Sequence, residues 1–268
     1  VFQFDWQVFL FVVSAVISGC VVFFLYRHSS NLLLSVIFYI TISLFSLSMS
    51  GIRQMLAIAL CLLGLTLLLE GKNRWFFILG AAALSIHSSA AIFLPMWFLR
   101  RVRLTRANVL ALIAATSALL IVRNPVVAFL AQFRLPRYMK YALDGDYQMN
   151  PVLVVISIAI PVFCLWANGH YDPTTRKFDR TTSVLFLMSC LNILFTVLAL
   201  NAGMISRFSY FFLGGNAVLI PLSLAGVSDK YLRRLLTLAI VVCCVLYFGI
   251  STPGGTLGID NYRFFWQT

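Results

Sequence analysis

Apolar residues along this chain come in long continuous runs, not in the alternation of a half-buried strand or the single stripe of a surface helix. Charged and turn-forming residues separate the runs near residues 7–25, 32–49, 52–69, 107–122, 151–167, 183–200, 208–226 and 235–250. At about 1.5 Å of rise per residue, segments of this length cross a hydrocarbon core of roughly 30 Å. The pattern predicts an all-α, polytopic membrane protein with eight crossings.

A further apolar stretch, Trp75 to Leu99, breaks the regularity. It carries His87 in its middle and lies between Lys72/Arg74 and the basic group Arg100, Arg101, Arg103 and Arg106. Basic residues gather on cytoplasmic loops, so both flanks point to the same side of the membrane. These 25 residues are too few for two full spans of about 20 residues each, which leaves a re-entrant hairpin of two half-helices turning at His87-Ser88-Ser89. One tilted span that violates the charge bias is the alternative. With the hairpin, 13 of the 20 Lys and Arg residues fall inside, and Trp6, Trp75, Trp97 and Trp166 sit near span ends as an interfacial belt. The segment from Arg123 to Asn150 becomes an extracytoplasmic interfacial loop, either a monotopic anchor or a substrate-facing lid. The stretch NGHYDPTTRKFDRTT is expected to be an inside connector.

Composition agrees with this reading, since 61% hydrophobic against 10% charged residues excludes a water-soluble globule. The net charge of +12 therefore reports topology and contact with anionic lipid, not nucleic-acid binding. Six cysteines all fall in apolar segments without metal-ligand spacing and read as small core residues. The chain opens on Val1 without a signal-peptide pattern, and an N-terminal portion preceding a single transmembrane domain over 1–268 is expected. P-loop, nucleophile-elbow and dinucleotide-binding motifs are absent.

Chemistry is sought in charges that defy the topological bias. Arg53, Arg123, Arg134, Arg137, Lys140, Arg207 and Arg263 fall outside, and Arg53 and Arg207 each begin a long span. A guanidinium at such a helix N-terminus suits a phosphate, which it grips by two parallel hydrogen bonds; headgroup snorkelling is the plainer reading. His87 is the one histidine placed in an apolar segment, beside Ser85, Ser88 and Ser89. Its imidazole suits proton transfer near neutral pH, although a lone histidine there is often a hydrogen-bonded core residue.

The stretch Gly51-Ile52-Arg53-Gln54-Met55-Leu56-Ala57 resembles the G-x-R-Q-x-x-A of the EpsG family of Wzy-type polysaccharide polymerases. Lys72-Asn73-Arg74-Trp75-Phe76-Phe77 followed by His87-Ser88-Ser89-Ala90 is similar to that family's basic-aromatic lead into H-x-S-A, with Ile86 standing where phenylalanine is usual. Arg207-Phe208-Ser209-Tyr210-Phe211 resembles a later arginine-tyrosine-phenylalanine span. The resemblance implies a polymerase of undecaprenyl-diphosphate-linked repeat units, making O-antigen or exopolysaccharide at the outer face of the bacterial cytoplasmic membrane, with no cofactor and no metal. It implies His87, Arg53 and Arg207 as catalytic residues, with Gln54, Ser89, Arg134, Arg137, Lys140 and Tyr210 binding substrate. Partners implied are the lipid-linked oligosaccharides, membrane lipids, a chain-length regulator and a flippase, and no nucleic acid. Two other readings stay open: a metal-dependent lipid-phosphate glycosyltransferase of the GT-C kind using Asp144-Gly145-Asp146, and a lipid-glycan flippase or transporter.

Overall fold

The computed structural model describes residues 6–132, 151–167, 171–172, 177–200 and 205–251. Helices dominate, as the apolar runs require, because a chain in hydrocarbon must satisfy its backbone polar groups internally. Close contacts divide the chain into two compact units, one formed by residues up to Leu94 together with those from Asp229, the other by Pro95–Ser228.

In the first unit α1 (Trp6–His28) leads into α2 (Leu32–Thr41), whose Asn31 side chain caps the Leu34 amide at 3.2 Å. The run 32–49 is not one straight span: α2 and α3 (Leu44–Ser50) are bent by 51°. Two local causes act at the break. Thr41 Oγ1 donates to the Ile37 carbonyl at 2.8 Å, and Ser43 takes a left-handed conformation, φ 64°. Gly51 ends α3 and starts α4 (Ile52–Leu69); a Cβ there would lie 2.8 Å from Leu47 Cδ1.

A tight turn joins α4 to α5 (Asn73–Ile86) through Gly71 at φ 88°, the backbone conformation only glycine adopts at little cost. The Lys72 amide reaches back to the Leu67 carbonyl at 2.8 Å and closes a Schellman cap. The two helices lie antiparallel and close, with Gly64 against Phe76 and Leu79. α5 stops at His87, which is extended at φ −149°, ψ 115°, and a 3-10 turn follows over Ser88–Phe93. A Cβ on Gly80 would stand 2.9 Å from Leu94 Cδ2. In one straight helix those residues would be about 21 Å apart, so the chain doubles back at His87 as the re-entrant reading expects. The last helix of the chain order, α11 (Lys230–Ser251), packs on α2 and leaves most of its apolar surface exposed.

The second unit begins with the short α6 (Met96–Leu99), followed by α7 (Arg106–Gln132) and α8 (Pro151–Ala167). α7 continues ten residues past the expected end at 122. The expected inside connector carries a two-residue antiparallel ladder, β1 (Tyr171–Asp172) with β2 (Lys177–Phe178). α9 (Arg180–Ala199) and α10 (Ser206–Ala225) then form an antiparallel pair whose side chains are almost all buried. Asp179 caps α9 by accepting from the Thr181 and Thr182 amides.

The expected count of eight crossings is not confirmed. Among the described residues five helices are long and apolar enough to span a membrane, six if the bent α2–α3 pair is one span. The apolar stretches Arg106–Val122 of α7 and Val152–Ala167 of α8 are not among them. Five of the six cysteines are buried as core residues, while Cys243 is exposed.

Candidate functional site

Arg53 stands in the first turn of α4, where the helix starts at Gly51 without a side-chain cap. The neighbouring Gln54 is buried, whereas Arg53 is exposed. An arginine in the first turn opposes the helix dipole, so the local preference is for the other sign of charge. The positive potential gathered here suits an anion, and local rules are most often broken at functional positions.

His87 reaches the same end of the α4–α5 pair. Gly64 is in register with Phe76 and Leu79, and His87 lies 11 and 8 residues beyond them. Counting back along the antiparallel α4 puts His87 level with Arg53 to Leu56, to within about one helical turn. Ser89 Oγ and His87 Nδ1 are 2.5 Å apart in a hydrogen bond. A serine hydroxyl can accept from Nδ1–H or donate to Nδ1, so the bond holds the ring in place; with Nδ1–H as the donor, Nε2 keeps the lone pair that accepts a proton. Ser89 is thus a partner of the imidazole in addition to any contact with substrate.

The other end of α4 is tied down separately. Arg27 Nη2 meets Glu70 Oε1 at 2.6 Å and Lys72 Nζ meets Glu70 Oε2 at 2.9 Å. First Lys72 and then Arg27 hold the Glu70 carboxyl below its usual range. Thr66 donates to the Leu62 carbonyl at 3.1 Å, so its oxygen accepts from His28 Nε2–H at 3.3 Å. α1 and α4 are clamped at the end expected to be cytoplasmic, opposite Arg53 and His87.

Arg207 and Tyr210 belong to the second unit, in the first turns of α10, with Arg207 exposed. Their helix end is held by α9: Asn192 Nδ2 donates to the Ser209 carbonyl at 3.1 Å, Asn216 Nδ2 donates to Asn192 Oδ1 at 3.4 Å, and Phe195 stacks on Phe212. Sequence reasoning missed this pair of asparagines. The signal was buried polar residues in apolar runs: Thr182, Ser189 and Thr196 at every seventh position of α9 with Asn192 one turn after Ser189, and Ser209, Asn216 and Ser223 at every seventh position of α10. Arg134, Arg137, Lys140, Asp144 and Asp146 lie outside the described residues.

The EpsG family model matches residues 1–264. The chain belongs to the EpsG family. Neither a curated protein nor a solved structure matches it. EpsG membership, with long apolar helices, indicates a membrane protein of the polysaccharide-polymerase type, glycosyltransferase-like in its chemistry.

Proposed function

We propose that this EpsG-family protein joins lipid-diphosphate-linked oligosaccharide repeat units into a polysaccharide at the extracytoplasmic face of the bacterial cytoplasmic membrane. The observation that supports the reading is the α4–α5 register, which puts His87 and Arg53 at the same end of the pair, with the imidazole bonded to Ser89. In the proposed step the hydroxyl of an incoming repeat unit attacks the anomeric carbon of the donor chain. The bond from that carbon to the diphosphate oxygen breaks, a glycosidic bond forms, and the hydroxyl proton passes to His87 Nε2. Negative charge then collects on the departing lipid diphosphate, where the Arg53 guanidinium and the amides of the α4 N-terminus stabilise it. Arg207, presented by the first turn of α10, is assigned a second phosphate-binding role, with Gln54 and Tyr210 as substrate contacts. Arg134, Arg137 and Lys140 are assigned to the second diphosphate on charge alone.

This chemistry needs no metal ion, because arginines and helix amides carry the leaving-group charge. The test is elongation of a lipid-diphosphate-linked repeat unit by purified protein in detergent with EDTA, read on a glycan gel. A ladder from wild type, lost in His87→Ala and Arg53→Ala, is the expected result. A ladder from all three proteins refutes the site, and none from folded wild type refutes the polymerase reading.

A further inference from the structure

The bend between α2 and α3 turns on a residue in a costly conformation. Among the described residues Ser43 is the only non-glycine with a positive φ, and at 64° its Cβ meets a steric penalty that glycine escapes. Strain of this kind persists where the surrounding contacts over-determine it. Within the pair, the Tyr39 hydroxyl is bonded to Ser48, and the Tyr39 and Phe45 rings meet edge to face at 6.3 Å.

A second set of contacts comes from α11, which packs on α2. Its Tyr247 hydroxyl is hydrogen-bonded to Ser43 itself and to Ser251, and its Cys244 thiol to Thr41. Cys244, Tyr247 and Ser251 are three and four residues apart in turn, so they share one face of the helix. Cys244 is buried and the other two are half-buried, whereas the intervening Val245, Leu246, Gly249 and Ile250 are exposed. The face that α11 covers is therefore the one turned to the bend. What serine supplies at position 43, and glycine would not, is the hydroxyl that Tyr247 reaches.

The bend matters for the candidate site because α3 runs directly into α4. The Gly51 amide donates to the Leu47 carbonyl at 2.7 Å and the Met55 amide donates to the Gly51 carbonyl at 2.9 Å, so one residue closes the last turn of α3 and opens the first turn of α4. The seven residues of α3 rise about 10 Å, and each 10° of swing at Ser43 displaces Gly51, with Arg53 behind it, by roughly 2 Å. A misplacement of about 1 Å is already enough to cost a positioned group much of its effect. We propose that α11, through Tyr247 and Ser43, fixes the direction of α3 and thereby positions Arg53 against the lipid diphosphate. Tyr247 is thus a positioning residue, and the task of Arg53 rests on the polymerase reading given above.

The first readout is geometric and independent of activity. Nitroxide labels on the exposed native Cys243 and on Arg53→Cys report the distance from α11 to the start of α4 by pulsed electron spin resonance of the full chain in detergent, since the other five cysteines are buried. Tyr247→Phe and Ser43→Gly should each shift that distance, or broaden its distribution, by about 2 Å or more. Tyr231→Phe, at an exposed position of α11, should leave it unchanged. Ser43→Gly is the sharper variant, because it relieves the backbone strain: a merely structural role predicts an unchanged distance with an equal or higher Tm. Unchanged distances in both variants overturn the proposal. The second readout is elongation with Arg53 in place, where Tyr247→Phe should lower kcat by about ten-fold or more with KM little changed, as for an interaction made in the transition state. A shifted distance with unchanged kcat also overturns the positioning role. If wild type elongates nothing, the polymerase reading fails, and the spin-label distance alone then decides whether α11 sets the position of residue 53.

Discussion

The spacing between α9 and α10 rests on Gly215, and replacing it by alanine tests how α10 is held. A Cβ at Gly215 would lie 2.9 Å from Met188 Cβ, 3.1 Å from its Sδ and 3.2 Å from its Cε. The sulfur and methyl can turn away, but Cβ moves only with the α9 backbone. Carbon atoms pack at about 3.5–4.0 Å, so the helices must part by roughly 0.6–1 Å or the side chain is compressed. Overpacking of this kind costs about 1–3 kcal/mol. Alanine also gains up to about 1 kcal/mol over glycine as a helix former, and that gain has to be removed from the comparison. Gly249→Ala on α11 provides it, because nothing lies within 4 Å of the Cβ built there. The difference between the two variants isolates the steric cost, and at about 2–4 °C per kcal/mol it amounts to roughly 2–12 °C in apparent Tm. Cys164 and Cys190 are buried in this unit, so a thiol-reactive dye during heating reports its opening. If Gly215→Ala melts with or above Gly249→Ala, the contact at Met188 does not set the helix spacing and the account of α10 fails.

Three further outcomes are expected. Ser89→Ala removes the 2.5 Å bond to His87 and should lower polymerisation about two- to ten-fold, with Ser88→Ala at the adjacent exposed position as an unaffected control. Equal rates in both variants would show that the serine does not orient the imidazole. Asn192→Ala releases the Ser209 carbonyl and leaves the Asn216 amide without its acceptor, so it should destabilise the second unit by about 1–2 kcal/mol in the same thiol assay, and a change no larger than Cys243→Ala would count against it. Because the Glu70 carboxyl is held below its ordinary range, its contribution is present above the unfolded carboxylate pKa and disappears as pH falls through the lower folded value. Melting curves of wild type and Glu70→Gln should therefore differ at neutral pH and converge in acid; constant separation down to pH 3 would remove the α1–α4 ion pair from the stability of this end.

Much of the candidate site was legible because the proposed chemistry constrains residue type. Arg53, His87 and Arg207 stand out as polar groups in or beside apolar runs, where desolvation makes an unneeded charge or imidazole expensive. The reversal of the chain at His87 was expected from charge on both flanks of a run too short to cross twice. Ser89 read as a substrate contact because its local bond to His87 Nδ1 depends on the extended backbone at His87, a conformation that the residue names do not specify. The asparagine pair escaped because heptad-spaced polar residues signal a partner helix without saying which one.

Hydropathy by itself determined that the chain lies in a membrane, that it is helical, and roughly where the segments begin, since a 30 Å apolar solvent admits few other solutions. Motif order by itself pointed to the EpsG family. Tertiary structure decided the return of the chain onto Gly80 and the register that raises His87 to the level of Arg53. These depend on contacts between residues far apart in sequence, such as Gly64 with Phe76 and Gly215 with Met188. Close approach of two backbones there is a property of both surfaces, and neither run of sequence contains it alone.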